Sequence, residues 1–201
     1  MMRHKICAAI LAGGKSSRFL SGDKALAKWA DKTIIETEIE ILKEIFEYVF
    51  IISNKTKIYD KFGIDVFPDL YIDKGPLAGV HSALINANSN RVFIVGCDMP
   101  LLNKDLIHWM IRIDTWSPIV IPSLVDGLEP LHAIYHTSLI PVIETIVSSS
   151  KTMGLQALIR SLPFRPIFEP DIKRFCPDLL CLRGINTKEE FEILKRITLN
   201  K

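Results

Sequence analysis

The stretch best equipped to hold an anion is Leu11-Ala12-Gly13-Gly14-Lys15-Ser16-Ser17-Arg18, continuing to Asp23-Lys24. Two adjacent glycines permit positive φ and bring backbone N–H groups close to a ligand with no Cβ in the way. Lys15, Arg18 and Lys24 place positive charge around the same loop, Arg18 as a planar fork that suits phosphate oxygens. Ser16 and Ser17 are better placed as phosphate donors than as nucleophiles, and residue order alone supports no Ser-His-Asp arrangement. The loop follows the apolar run Lys5 to Leu11, which reads as a buried strand opening into the glycines. Gly-Gly after a strand is also an ordinary turn, and neither the Walker spacing nor the dinucleotide fingerprint is present. The basic residues shift the reading from a turn toward a phosphate site.

Asp98 is the sharpest single candidate for metal chemistry. It directly follows the apolar run Arg91 to Cys97, and a carboxylate at an apolar strand end is costly unless solvated, paired or bound to a cation. Mg²⁺ fits that position, because this ion takes few carboxylates and completes its octahedron with phosphate oxygens and water. The competing reading is a cap for the helix after Pro100. Asp69, after Pro68, and Asn54, in a Ser-Asn turn, also stand at strand ends, where turn and cap roles compete with ligand contact. His81, His132 and His136 lie in apolar stretches without metal-ligand spacing and read as hydrogen-bonded core or surface residues.

The elements that must position these groups alternate. The sequence predicts strands at Lys5–Leu11, Tyr48–Ile52, Gly63–Phe67 and Arg91–Cys97. Between them come a helix from Thr33, with Thr33 as N-cap and Glu36 in the capping-box position, a short helix over Lys55–Phe62, and a helix opened by Pro76. Ala25 to Trp29 reads as a short extended piece before a turn at Ala30-Asp31-Lys32. The second half predicts helices over Asp105–Ile113, Ser138–Val147, Met153–Leu162 and Lys188–Ile197, the last capped by Thr187 with Glu190. It predicts strands at Pro118–Ile121, Pro130–Tyr135, Phe164–Phe168 and Leu179–Leu182. Strand-helix alternation implies right-handed β-α-β units. The expected architecture is a three-layer, Rossmann-like α/β fold, with a mostly parallel sheet and helices on both faces. Ligands in such sheets bind at the carboxyl edge, so Gly13, Asn54, Asp69 and Asp98 are expected on one rim.

At 201 residues, with no repeat, linker or low-complexity break, the chain is expected to form one domain over 1–201. It is 48% hydrophobic and carries a net charge of only +2, which excludes a disordered chain and a strongly basic nucleic-acid binder. Positive charge must therefore be local, as a small anionic substrate requires. The four cysteines, Cys7, Cys97, Cys176 and Cys181, form no Cys-x-x-Cys pair and read as buried thiols in a reducing compartment. No signal-like segment and no stretch approaching the ~20 apolar residues of a membrane helix is present, so a cytoplasmic location without membrane contact is expected.

The pattern Leu-Ala-Gly-Gly-x-x-x-Arg followed by Asp-Lys resembles the signature loop of nucleotidyltransferases, and in spacing it is closest to the molybdenum cofactor guanylyltransferases of the MobA family. The resemblance extends to Asp69 with Gly75-Pro76-Leu77-Ala78-Gly79, to Cys97-Asp98-Met99-Pro100, to Glu129 through Tyr135, and to Ile185-Asn186-Thr187. The chain has Phe19-Leu20 where the family often has Met-Gly, and Gly184 where it often has asparagine. The resemblance implies the nucleotidyltransferase fold and transfer of GMP from GTP to molybdenum-bound molybdopterin. It implies Leu11, Ala12, Gly13, Gly14, Lys24, Asn54, Asp69 and Asp98 as nucleotide contacts, and Lys24, Arg18 and Asp98 as the catalytic set with Mg²⁺ on Asp98. His132 would lie near the acceptor side. Further partners would be other cofactor-biosynthesis proteins and acceptor molybdoenzymes. Two other readings remain open: a relative transferring CMP to the pterin, or another nucleotide to a sugar phosphate, and a non-catalytic protein that binds nucleotide and pterin for delivery.

Overall fold

Successive residues along the strands point to opposite sides, and both sides are apolar, so the sheet must be covered on both faces. The computed structural model describes residues 6–13, 23–113, 116–148 and 153–199. In chain order it contains β1 (Ile6–Leu11), β2 (Lys28–Trp29), β3 (Lys32–Thr33), α1 (Ile34–Lys43), β4 (Val49–Ile52), α2 (Thr56–Tyr59), β5 (Val66–Phe67), α3 (Pro76–Ile85) and β6 (Arg91–Gly96). The second half adds α4 (Lys104–Arg112), β7 (Ile119–Leu124), β8 (Gly127–Leu128), β9 (His132–His136), α5 (Ile140–Val147), α6 (Leu155–Arg160), β10 (Arg165–Phe168), α7 (Glu169–Ile172) and α8 (Lys188–Leu199).

The main sheet runs β10-β7-β9-β6-β1-β4-β5, with β8 paired to β7. β1 lies parallel to both β4 and β6, with Leu11 opposite Ile52 on one side and Gly96 on the other. β5 pairs in parallel with β4 and β10 in parallel with β7, while β9 runs antiparallel to β6 and β7. Ala8, Ile10, Ile51, Phe93 and Val95 face α1 and α4 through Ile35, Ile39, Leu42, Leu106 and Met110. Cys7, Ala9, Leu11, Phe50, Ile52 and Ile94 face α3, α5 and α6 through Leu77, Val80, Ala83, Ile143 and Leu158. These are the three layers expected from the strand-helix alternation.

Local signals set the helix starts. The Thr33 Oγ1 accepts the Glu36 N–H at 3.4 Å, and the Glu36 carboxylate accepts the Thr33 N–H at 2.7 Å, a complete capping box. Pro76 opens α3, and its Gly79 lets the helix settle on the sheet, since a Cβ there would lie 3.0 Å from Leu11 Cδ1. A smaller cluster carries the C-terminal helix: Phe191 of α8 meets Trp29 of the β2-β3 hairpin edge-on, with ring centroids 5.6 Å apart.

Two expected extended pieces are helical turns instead. Lys24–Leu26 is a 3-10 turn, because Asp23 caps it by accepting the Ala25 N–H; extended chain begins only at Lys28. Leu180–Leu182 is also 3-10. Leu179 takes φ 58°, and the Leu182 and Arg183 N–H groups turn back to the carbonyls of Leu179 and Leu180 instead of joining a ladder. α7 was not anticipated; Pro170 stands in its first turn. Cys7, Cys176 and Cys181 are buried thiols, and Cys97 is partly buried.

Candidate active site

The carboxyl ends of β1, β4, β5 and β6 lie side by side, and the chain leaves them at Gly13, Asn54, Asp69 and Asp98. The strand register makes this rim. Asn54 and Asp69 hold each other reciprocally: Asn54 Nδ2 donates to Asp69 Oδ2 at 3.0 Å, and the Asp69 N–H donates to Asn54 Oδ1 at 3.0 Å. Asp69 Oδ1 is buried without a hydrogen-bond partner among the described residues. Burial raises this carboxyl above its ordinary range, against the opposing effect of the Asn54 amide. A Cβ at Gly13 would lie 3.8 Å from Asp69 Oδ2, so the glycine stands next to the same carboxylate.

The loop itself corrects two expectations. Gly13 is absent from the positive-φ glycines, and a Cβ there would make only ordinary van der Waals contact with Asp69. The Ala12 N–H donates to the Ile52 carbonyl at 2.9 Å, and its own carbonyl accepts the Ser53 hydroxyl at 2.9 Å, so this N–H is not free to meet a phosphate. Leu11 is buried, with its carbonyl accepting the Cys97 N–H. Gly14, Lys15, Ser16, Ser17, Arg18, Phe19 and Leu20 lie outside the described residues.

At the end of β6, Lys24 Nζ meets Asp98 Oδ2 at 2.6 Å, with side-chain exposures of 13% and 23%. Lys24 also donates to Asn186 Oδ1 at 3.2 Å. The two 3-10 turns that displaced the expected strands deliver these partners: one carries Lys24, the other leads into the Gly184–Asn186 segment before α8. That segment is tied down by the Thr187 and Glu190 cap and by the Ile185 N–H, which donates to the Asp98 carbonyl at 2.9 Å. Two glycines make the slot for the carboxylate. A Cβ at Gly96 would come within 2.8 Å of Asp98 Oδ1, and one at Gly184 within 3.1 Å of Oδ2. The glycine that departs from the family pattern is thus where backbone closes on Asp98.

The sequence reading missed Glu38. It is fully buried on α1, its Oε1 accepts the Met99 N–H at 2.7 Å, and its Oε2 has no partner among the described residues. Burial pushes this carboxyl well above its usual range; the Met99 bond and Lys24 oppose the shift, and the Asp98 charge adds to it. A signal existed, because Glu38 interrupts the stripe Ile34, Ile35, Ile39, Leu42 on the core face of α1. Asn186 was visible only as part of a motif, not as a partner of Lys24. Glu129 stands near the same charges, its carboxyl raised by burial, opposed by the bond from the Leu131 N–H, and raised again by Asp98.

The histidines stay outside the cluster. His132 is fully buried, edge-on to Phe93, and neither ring nitrogen has a partner among the described residues; burial lowers its pKa to about 3. His81 packs edge-on to Tyr71 and faces Glu144, and His136 accepts the Ser138 N–H. Among the described residues no group of three or more His, Cys, Asp or Glu converges as a metal cage. The donor chemistry at Asp98 is one hard carboxylate, with Lys24 and Asn186 beside it. That composition fits Mg²⁺, which relies on substrate phosphates and water for most of its ligands.

Fold and site together define an α/β protein whose mostly parallel sheet gathers charged and amide side chains at its carboxyl rim. Residues 8–166 match the MobA-like NTP transferase domain, and the chain belongs to that nucleotidyltransferase family. It is 37% identical over 198 residues to a probable molybdenum cofactor guanylyltransferase of Clostridium perfringens strain 13, covering 94% of this chain and 96% of the relative. It is 33% identical over 184 residues to the molybdenum cofactor guanylyltransferase of Desulfosudis oleivorans, covering 91% of each. The crystal structure of molybdopterin-guanine dinucleotide biosynthesis protein A from Archaeoglobus fulgidus shares the fold, with a TM-score of 0.82 at 21% identity over 97% of this chain and all 100% of that one. A Mycobacterium tuberculosis protein crystallised with manganese superposes with a TM-score of 0.63 at 15% identity, covering 88% of this chain and 100% of that one.

Proposed function

We propose that this protein transfers GMP from GTP to molybdenum-bound molybdopterin, forming the molybdopterin guanine dinucleotide cofactor and releasing pyrophosphate. The observation that carries this reading is the Lys24-Asp98-Asn186 cluster at the end of β6, on the same rim as Gly13. The acceptor is itself a phosphate, so no covalent enzyme intermediate is required. Its terminal oxygen forms a bond to the α-phosphorus as the bond to the bridging oxygen of pyrophosphate breaks. The protein's task is to align two anions and offset their repulsion.

In this reading Gly13 and Gly14 supply backbone to the phosphates over a floor of Leu11 and Ala12, and Arg18 and Lys24 neutralise charge on the triphosphate and departing pyrophosphate. Asp98 would hold Mg²⁺, which would supply positive charge to offset the negative charge of the phosphates. Asp69, oriented by Asn54, serves in this reading as a nucleoside contact. Guanine offers two donors, N1–H and its exocyclic amine, and cytosine offers only an amine, so an acceptor here favours guanine. In this reading the chain acts as one unit, supported by strands of one sheet drawn from residues 6–168 and by the packing of α8 on Trp29. No helix among the described residues is long and apolar enough to cross a membrane. In this reading the reaction takes place in the cytoplasm.

Product analysis with each of the four NTPs and molybdenum-loaded molybdopterin tests the assignment. GTP is expected to give the dinucleotide at least about tenfold faster than CTP, the factor that one lost hydrogen bond of about 1.4 kcal/mol supplies. Equal or faster transfer from CTP would overturn the guanine assignment, and binding of both ligands without pyrophosphate release would mark a delivery protein.

A further inference from the structure

The peptide that joins Asp98 to Met99 is held at both of its polar ends. Its carbonyl accepts the Ile185 N–H at 2.9 Å, and its N–H donates to Glu38 Oε1 at 2.7 Å. A peptide unit is a rigid plane, so bonds on opposite edges fix its tilt and with it ψ of Asp98. That tilt sets where the Asp98 Cα–Cβ bond points. The carboxylate has little latitude, because Gly96 and Gly184 bring backbone so close that even a Cβ on either would meet it at 2.8 Å and 3.1 Å.

Nothing in the packing of α1 calls for a carboxyl at this position. Ile34, Ile35, Ile39 and Leu42 fill the same face, and an apolar residue would bury there without the desolvation cost of an acid. What Glu38 supplies is an acceptor for an N–H that would otherwise be buried unpaired. Only Oε1 is used; Oε2 has no partner among the described residues, so the arrangement asks for one carbonyl-like oxygen and makes no use of a second. Resting on the guanylyltransferase reading above, we propose that Glu38 is a positioning residue for nucleotidyl transfer: through the Met99 N–H it fixes the Asp98-Met99 peptide and so aims the Asp98 carboxylate, acting as a hydrogen-bond acceptor and not as a charge.

Three variants separate the possibilities. Glu38→Gln keeps the carbonyl oxygen and removes the acid, Glu38→Asp keeps the acid and withdraws the oxygen by about 1.5 Å, and Glu38→Met removes the acceptor. The readouts are hydrogen exchange of the Met99 amide, Mn²⁺ affinity in the presence of GTP by electron paramagnetic resonance, and kcat and KM for GTP. Glu38→Gln should keep Met99 protection and hold Mn²⁺ affinity and kcat within about threefold of the parent. Glu38→Asp and Glu38→Met should each speed Met99 exchange, weaken Mn²⁺ and lower kcat by about tenfold, the effect of one lost buried hydrogen bond, with KM for GTP within about twofold. Loss in Glu38→Gln equal to that in Glu38→Asp would overturn the acceptor role, as would parent-like behaviour in Glu38→Asp. Should Glu38→Met fail to fold, the Gln and Asp pair still decides. A parent protein that makes no dinucleotide would overturn the transfer reading, while Met99 exchange would still judge the clamp.

Discussion

Lys24 shows how environment sets the worth of one charge. Exposed ion pairs contribute about 0–1 kcal/mol, but here the ammonium is largely removed from water and lies 2.6 Å from Asp98 and 3.2 Å from Asn186. Replacement by methionine keeps most of the stem and removes the charge. Loss of one charge-assisted contact in a partly desolvated phosphate site costs about 2–4 kcal/mol of transition-state stabilisation, so Lys24→Met should lower kcat/KM by about 30- to 1,000-fold. Circular dichroism should show the fold retained, because Asp98 keeps contact with water. Steady-state kinetics within about twofold of the parent would remove Lys24 from the transfer mechanism.

At the scale of elements, the sequence carried the fold where a side chain announces its own geometry. Thr33 with Glu36, Thr187 with Glu190, and Pro76 name helix starts through bonds their own atoms make. Asp98 was legible because a carboxylate directly after an apolar strand needs a compensating partner. The 3-10 turns at Lys24–Leu26 and Leu180–Leu182 were not legible, since short apolar runs fit either state and tertiary contact chose between them. Ala25 is drawn inward against α1, and Leu180 packs with the Trp29 and Phe191 cluster. The antiparallel course of β9 also follows from pairing across the sheet and not from its composition. Glu38 acts on a backbone N–H sixty-one positions away, a relation no local pattern contains.

For the whole molecule, buried titratable groups tie stability to pH. His132 has its pKa lowered from 6.5 to about 3 by burial, so on acidification the unfolded chain takes up a proton that the folded chain refuses. Its contribution is present above pH 6.5 and is lost at about 1.4 kcal/mol per pH unit as pH falls from 6.5 toward 3. Glu38 works with the opposite sign: folded, it keeps its proton above its ordinary value of 4.5, so stability declines as pH rises beyond that point toward its raised folded value. His132→Leu leaves Glu38 in place and removes only the histidine. Urea unfolding between pH 4 and 7 should therefore show a shallower acid loss in His132→Leu, by about one proton; parallel curves would contradict the assignment. The central claim concerns the carboxyl rim and the C-terminal segment that meet at Asp98, and is tested most directly by quantifying pyrophosphate and dinucleotide together in the parent and in Asp98→Ala. The parent should release one pyrophosphate per dinucleotide, only with GTP, molybdenum-loaded molybdopterin and Mg²⁺ all present, and Asp98→Ala should remain folded and release none above background. Undiminished, magnesium-dependent turnover in Asp98→Ala would contradict it.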